Sequence, residues 1–242
     1  MANRRRGGAV AFAVLVVVSV VVSVVAPGVG LASATAITTI DECQRIDSPG
    51  PYTLVADISN ASTSACIEIT SDAVSFDGNG HVIEYTGSSY TNPSGVSVSG
   101  ATNVAVTDVT VRQFGTGVRF SGVVGGEISD VSVEAEPGSN RPGASSNGIV
   151  LSGGSTGNVV ENSSVSEIGD WGDAGTSGSG IYVVDSSNNE IKNNYVIDPS
   201  DVGIQLDGAT DNLIEGNEIR GSAFTSTRTP RSSARSRTCS AQ

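Results

Sequence analysis

Basic residues are scarce in this 242-residue chain, and their scarcity narrows the classes of partner it can have. Lys192 is the only lysine, and residues 41–220 hold all 25 acidic residues against six basic ones. Because such a body repels phosphate groups, nucleic acid is excluded as a partner. The balance is typical of proteins that work at high salt, where screening weakens self-repulsion, and an ordinary acidic secreted protein is the alternative.

Histidine and cysteine are also rare, which bears on metal binding. His81, in the turn-rich segment "DGNGH", is the only histidine, and a structural role in a turn is favoured over a role as general base or metal ligand. No second histidine or cysteine lies near it in sequence, which argues against a copper or zinc site of the usual kind. Cys43 and Cys66 either form a disulfide or remain buried thiols, and Cys239 has no evident partner.

The chain has one long apolar run, and it lies at the N-terminus. Arg4 to Arg6 precede "AVAFAVLVVVSVVVSVVA", and small-x-small sites follow between Ala32 and Ala36. This order predicts a secretory signal peptide over residues 1–36, with an uncleaved membrane anchor as the alternative. With either one the rest of the chain is exported, so we expect a secreted or cell-surface protein.

Helical periodicity is absent from the exported part, and a unit led by glycine repeats instead. Gly95, Gly117, Gly148, Gly180 and Gly203 are each followed, one and three residues later, by an aliphatic or aromatic residue. The positions 11 and 16 residues after each glycine are apolar as well, with Ser164 as the exception. Short segments with this alternation, separated by Gly, Asn, Asp and Ser, predict strands that stack from one repeat to the next.

We therefore predict an all-β fold, a single-stranded right-handed parallel β-helix of about six coils over residues 66–221. Residues 37–65 are expected to form an N-terminal cap, which a Cys43–Cys66 bond would hold to the first coil. The position 14 residues after the glycine is Asn162, Asn194 and Asn217 in the last three repeats, which predicts a ladder of buried, stacked amides.

The last 21 residues depart from the repeat. Residues 222–242 contain four arginines, no acidic residue and no apolar residues at coil spacing. We expect a disordered basic tail. A frameshift or truncation that replaces further coils would explain the change of composition, and an interaction tail is the alternative.

The repeats resemble a known family. The stretch "CIEITSDAVSFDGNGHVI", followed by Gly-Ile-x-Leu coils that end in Asn-x-Ile, resembles the exported right-handed β-helix repeat proteins of haloarchaea over residues 40–221. Those proteins are similar in fold to the pectate-lyase-like superfamily and to the periplasmic copper-binding β-helix family. The resemblance implies the fold, but the superfamily hosts lyases, hydrolases, epimerases and adhesins and so implies no single activity.

Three of the repeats carry extra residues, at positions 84–94, 134–147 and 165–179, and we expect these insertions to emerge on one face. Aromatic rings there suit sugar rings, an arginine suits a sugar carboxylate, and carboxylates suit Ca²⁺ or acid–base catalysis, although solvated surface acids are the simpler interpretation. The ligand-binding candidates are Tyr85, Tyr90, Trp171 and Arg141. The calcium candidates are Glu167, Asp170 and Asp173. The catalytic candidates are Glu134, Glu136, Asp170, Asp173 and Arg141.

These features favour an exported protein without catalytic activity that binds or structures extracellular material, such as polysaccharide or another cell-envelope component. The tight signatures of polygalacturonases, Asn-Thr-Asp, Asp-Asp and Gly-His-Gly, are absent, and "GNGH" is not "GHG". A calcium-dependent polysaccharide lyase or glycoside hydrolase is the first alternative, and a copper-delivery protein is the second. Asn60 is the expected site of N-glycosylation.

Overall fold

A computed structural model describes residues 36–87, 92–134, 147–168, 178–199, 202–221, 226–227, 235–237 and 240–241. These residues belong to one compact unit, residues 35–242. The described residues form no α-helix, and therefore none that is long and apolar enough to cross a membrane. The predicted signal segment lies outside the described residues apart from Ala36.

The unit consists of short strands separated by turns. In chain order they are β1 (Thr38–Ile40), β2 (Gln44–Ile46), β3 (Gly50–Leu54), β4 (Ile58–Ala61), β5 (Ala65–Ile69), β6 (Val74–Asp77), β7 (Val82–Tyr85), β8 (Ser94–Ser99), β9 (Ala105–Thr107), β10 (Thr110–Arg112), β11 (Thr116–Ser121), β12 (Glu127–Ser129), β13 (Ser132–Glu134), β14 (Asn147–Ser152), β15 (Val159–Glu161), β16 (Ser164–Ser166), β17 (Ser179–Val184), β18 (Glu190–Lys192), β19 (Tyr195–Ile197), β20 (Val202–Asp207), β21 (Leu213–Glu215), β22 (Glu218–Arg220), β23 (Ser226–Thr227), β24 (Arg235–Arg237) and β25 (Ser240–Ala241).

The strands form three parallel sheets. The first sheet has the order β2-β5-β8-β11-β14-β17-β20-β23, the second β1-β3-β6-β9-β12-β15-β18-β21-β24, and the third β4-β7-β10-β13-β16-β19-β22-β25. The chain thus visits the first, second and third sheet in turn, and equivalent strands of successive coils pair in parallel. This is the right-handed parallel β-helix that the repeat predicts.

The core consists of inward side chains that stack from coil to coil. In the first sheet Val98, Phe120 and Leu151 follow one another in register, and all three are buried. The predicted columns one and three residues after the glycine are therefore confirmed. Stacking supplies each coil with the apolar neighbours that it cannot provide for itself.

Two predicted columns, those 11 and 16 residues after the glycine, are displaced in the coil that begins at Gly148. Val160 pairs with Ile128 and Ile191, and Val165 pairs with Val133 and Val196, so the inward residues are not Val159 and Ser164. The turn after β14 holds Gly153 and Gly154, both at positive φ, and it is one residue longer than the corresponding turns. Because of this shift, the apolar Val165 occupies the inward column to which the fixed spacing of the repeat assigned Ser164.

The same shift corrects the asparagine ladder. Asn162 is exposed at a φ of 51°, and Ser163 occupies the buried position instead, so the prediction that Asn162 belongs to the ladder is wrong. Asn194 and Asn217 are buried as predicted. The Asn194 side-chain amide donates to the Oδ1 atom of Asn217 at 2.9 Å, and the backbone amide of Ser163 donates to the Oδ1 atom of Asn194 at 3.0 Å.

A second asparagine ladder lies at the turn between the first and second sheets. Asn158, Asn189 and Asn212 are all buried. The Asn158 amide donates to Asn189 at 2.9 Å, and the Asn189 amide donates to Asn212 at 3.0 Å. The asparagine side chains of each ladder form hydrogen bonds with backbone groups in the turn of the preceding coil. An apolar residue at the same place would leave those groups unpaired.

The segment expected to be a cap contains a coil of its own. Strands β2, β3 and β4 pair with β5, β6 and β7, so one complete coil precedes the one that begins at Cys66. Cys43 and Cys66 form a disulfide, which confirms their pairing and joins this coil to the next one. In the described parts of the tail, β23, β24 and β25 pair with β20, β21 and β22.

Candidate ligand-binding face

The three insertions leave the coil at one corner. Each lies between a strand of the third sheet and the next strand of the first sheet, namely between β7 and β8, β13 and β14, and β16 and β17. The same connection between β10 and β11 needs only residues 113–115. The strand bounds therefore show that the described ends of all three insertions lie at the corner between the third and first sheets.

Tyr85 does not belong to this corner as a ligand-binding residue. Its side chain is buried, and its ring packs on Phe114 with the ring centroids 5.2 Å apart. Tyr85 follows the buried Ile83 by two residues on β7, so it points into the core with it. The expectation that Tyr85 presents a ring face to a sugar is wrong.

Two other candidates are described, and among the described residues neither belongs to a group of three possible metal ligands. Glu134 accepts a hydrogen bond from the Nε atom of Arg112 at 2.7 Å on the outer face of the third sheet. Glu167 is exposed at a φ of 57° in the turn after β16. The remaining candidates lie outside the described residues: Tyr90, Glu136, Arg141, Asp170, Trp171 and Asp173.

The outer face of the first sheet is formed by the variable position of the glycine-led motif. From β8 to β20 this position is occupied by Ser97, Arg119, Val150, Tyr182 and Gln205. These residues are direct cross-strand neighbours and share one face. The motif thus carries an inward core at its aliphatic positions and outward side chains at the residue between them, of which Val150 is nevertheless buried.

Arg119 is the charged residue among these five positions. Its guanidinium donates from Nη2 to the hydroxyl of Thr116 at 3.0 Å, and Thr116 is fully buried. Burial lowers the pKa of Arg119, because the charged guanidinium loses part of its hydration. Among the residues that the structure describes, Arg119 forms no ion pair.

The other cations differ from Arg119 in this respect. Every other lysine or arginine whose side chain is described has a carboxylate partner: Arg45 with Glu68, Arg112 with Glu134, Lys192 with Glu161 and Glu190, and Arg220 with Glu218. These pairs are exposed or, for Lys192 with Glu161, partly exposed, and such surface pairs each contribute little stability. Among the lysine and arginine side chains that the structure describes, the half-buried Arg119 is thus the only one without a carboxylate partner in the described coils.

His81 has a structural environment. Its Nδ1 atom lies 2.9 Å from an Oδ1 atom of Asp57, which also accepts from the backbone amide of Val82 at 3.0 Å. The Val82 amide and the His81 ring hold the pKa of Asp57 below its usual range. Within the described ranges, no three histidine, cysteine, aspartate or glutamate side chains converge as a metal ion would require.

The outward position of Arg119 could have been predicted from the sequence, although clusters of acidic and aromatic residues do not indicate it. Arg119 stands between the inward Val118 and Phe120, so the repeat itself identifies it as outward. The second asparagine ladder was also visible, because Asn158, Asn189 and Asn212 each stand two residues before an inward aliphatic residue.

Two solved structures are similar to this chain. One is the enzymatically active domain of tailspike protein 2 of bacteriophage CBA120, with 13% identity and a TM-score of 0.46, covering 79% of this chain and 34% of the tailspike chain. The other is alginate lyase from Paenibacillus sp. strain FPU-7, with 17% identity and a TM-score of 0.41, covering 81% of this chain and 86% of the lyase. This chain thus spans about a third of the tailspike chain.

A search of curated proteins finds no match to the chain. A family model does match, over residues 36–231, and its description is periplasmic copper-binding protein (NosD). The match begins where the predicted signal segment ends and extends through all the complete coils. The chain therefore belongs to the NosD family.

Proposed function

We propose that this protein is a non-catalytic β-helix that binds extracellular polysaccharide on the outer face of its first sheet. The family is periplasmic, and the protein accordingly acts outside the cytoplasm. The observation that carries the proposal is that all three insertions begin at the end of a third-sheet strand and lead into a strand of the first sheet. Loops that cluster on one side of a solenoid commonly frame its binding surface.

The surface beside the insertions has the chemistry of a sugar site. The Gln205 side chain accepts a hydrogen bond from the buried Ser179 hydroxyl at 2.6 Å, and the hydroxyl of Tyr182 donates to Asp207 at 3.4 Å. Hydroxyl, amide and carboxylate groups of this kind exchange hydrogen bonds with sugar hydroxyls, and the half-buried Tyr182 ring supplies an apolar surface beside them. The three-stranded repeat holds these side chains at the regular spacing of its coils.

Affinity electrophoresis in gels that contain polysaccharide tests the proposal. We expect retardation of the purified exported chain by at least one acidic polymer, such as alginate or polygalacturonate, at high salt. A parallel incubation with Ca²⁺ measures released unsaturated sugars by absorbance. Sugar release that is abolished by Asp170→Ala or Arg141→Ala would identify a lyase and overturn the non-catalytic proposal.

Copper does not fit the residues of the described coils. His81 is paired with Asp57, Cys43 and Cys66 are joined in a disulfide, and no cluster of ligands is present among the residues that the structure describes. Copper sites are built from several imidazole or sulfur ligands, and here a single imidazole remains. We therefore derive no copper chemistry for this chain and expect no tight stoichiometric binding when copper is titrated into it.

A further inference from the structure

Arg119 lies within a neutral stretch of an acidic protein. Its cross-strand neighbours are Ser97 and Val150, and Thr116 and Ser121 stand near it on β11. None of these four side chains is ionisable. The nearest rows of the first sheet therefore supply no carboxylate, although the protein as a whole carries a net charge of -12.

The guanidinium retains most of its hydrogen-bonding capacity. It carries five N–H donors in a planar fork and remains charged in proteins. The Thr116 hydroxyl is its one acceptor within the described part of the chain, and it orients the fork by engaging Nη2. A half-buried guanidinium of this kind gains most from a bidentate carboxylate, because two parallel charge-assisted hydrogen bonds replace the hydration that it has lost.

We propose that Arg119 recognises a sugar carboxylate, so that the polysaccharide bound on the first sheet is an acidic one. This inference rests on the proposed function and specifies its ligand class. Tyr182 lies two strands further along the same face, about 10 Å away at the spacing of β-strands. Val150, which stands between them on β14, is buried, so a polymer that runs along the coils contacts the face at Arg119 through a carboxylate and at Tyr182 through a neighbouring ring.

The net negative charge of the protein opposes an acidic ligand at long range, and salt removes this opposition. The Debye length falls from about 10 Å at 0.1 M salt to about 3 Å at 1 M. A contact pair at a half-buried guanidinium is screened much less than the repulsion between distant surface charges. We therefore expect the affinity for an acidic polymer to hold or rise as salt increases toward 1 M.

Four proteins test the inference: the full chain, Arg119→Gln, Ser97→Asp and the control Arg112→Gln. Each is assayed against polygalacturonate and against neutral dextran at about 1 M salt, after circular dichroism and thermal unfolding have shown that it is folded. Arg112 is also an outward arginine, but it lies on the third sheet and is paired with Glu134. Ser97→Asp keeps Arg119 and places a competing carboxylate beside it.

We expect Arg119→Gln and Ser97→Asp each to weaken polygalacturonate binding roughly 10-fold or more, as the loss of a charge-assisted pair implies, with Arg112→Gln within about 2-fold of the full chain. Equal binding by all four proteins, or binding of neutral dextran alone, would overturn the role of Arg119 and leave the proposed function standing. No binding of any polysaccharide by the full chain would overturn both.

Discussion

At the scale of single residues, the glycine that opens each motif marks a place where the coil has no room for a side chain. A Cβ atom on Gly180 would meet the Cγ1 atom of Val196 and the carbonyl oxygen of Gly203 in the next coil. For a Cβ atom on Gly203, in the last complete coil, the three nearest atoms all belong to the Ile219 side chain. The motif therefore opens on glycine because the third-sheet residue of the same coil fills the space.

This difference predicts unequal effects of two matched substitutions. Gly180→Ala should lower the free energy of unfolding by about 3 kcal/mol, because backbone of the next coil must move. Gly203→Ala should cost about 1 kcal/mol, because a side chain near the end of the stack can shift instead. Denaturant unfolding of the two variants measures the losses, and equal losses would show that the crowding is not what requires glycine.

At the scale of the structural element, the asparagine ladders tie one turn to the next. The Asn194 side-chain amide donates to the Val160 carbonyl and to Asn217, and its Oδ1 atom accepts from the Ser163 amide. Valine occupies the equivalent buried position in two earlier coils, at Val109 and Val131. The turn thus tolerates an apolar residue of similar size, and the hydrogen bonds are what asparagine adds.

Asn194→Val should therefore lower the free energy of unfolding by about 3 kcal/mol, since the volume is kept while the Val160 carbonyl and the Ser163 amide lose their partners. The control is Asn193→Gly on the same turn, where the native residue is exposed at a φ of 54°, a conformation that glycine adopts freely. This variant should stay within about 1 kcal/mol of the native protein. A near-neutral Asn194→Val in urea unfolding would refute a stabilising role for the ladder.

The disulfide acts on the first coils. Closing the segment between Cys43 and Cys66 restricts the unfolded chain and should stabilise the protein by about 3 kcal/mol. For a domain of this size, reduction should lower the thermal midpoint by roughly 6–12 °C at fixed salt. Cys43→Ala should already have the lower midpoint and should not respond to reductant, whereas an unchanged midpoint in the native protein would show that the bond adds no stability.

At the scale of the whole molecule, the fold was predictable because the apolar residues that build its core recur at a regular spacing. Inward residues recur in every coil, so Val98, Phe120 and Leu151 could be aligned from sequence alone. The error at Asn162 arose where Gly153 and Gly154 lengthen a turn, because a longer turn of small residues leaves no apolar residue to mark the change. The alternation of residues within a strand does not reveal an extra residue in a turn, whereas the pairing of the flanking strands does.

The candidate site was less predictable for a different reason. Acidic and aromatic residues in the insertions were chosen by composition, and Tyr85 belongs to the core because it continues the alternation that begins at Ile83. Arg119 was overlooked because it differs from the other described cations only in having no carboxylate partner among the described residues. Ion pairing depends on which side chains stand opposite one another in neighbouring coils. That information lies in the register of the sheets and not in the local sequence.

The central claim is that polysaccharide lies on the outer face of the first sheet, and hydroxyl-radical footprinting tests it most directly. The chain offers a matched pair of half-buried tyrosines: Tyr182 on the outer face of the first sheet, and Tyr195 on the third sheet beneath the guanidinium of Arg220, 5.4 Å from its ring centroid. With saturating polygalacturonate at about 1 M salt, where charge repulsion is screened, we expect the oxidation of Tyr182 to fall several-fold while that of Tyr195 stays unchanged. Protection of Tyr195 with Tyr182 still fully oxidised would contradict the account.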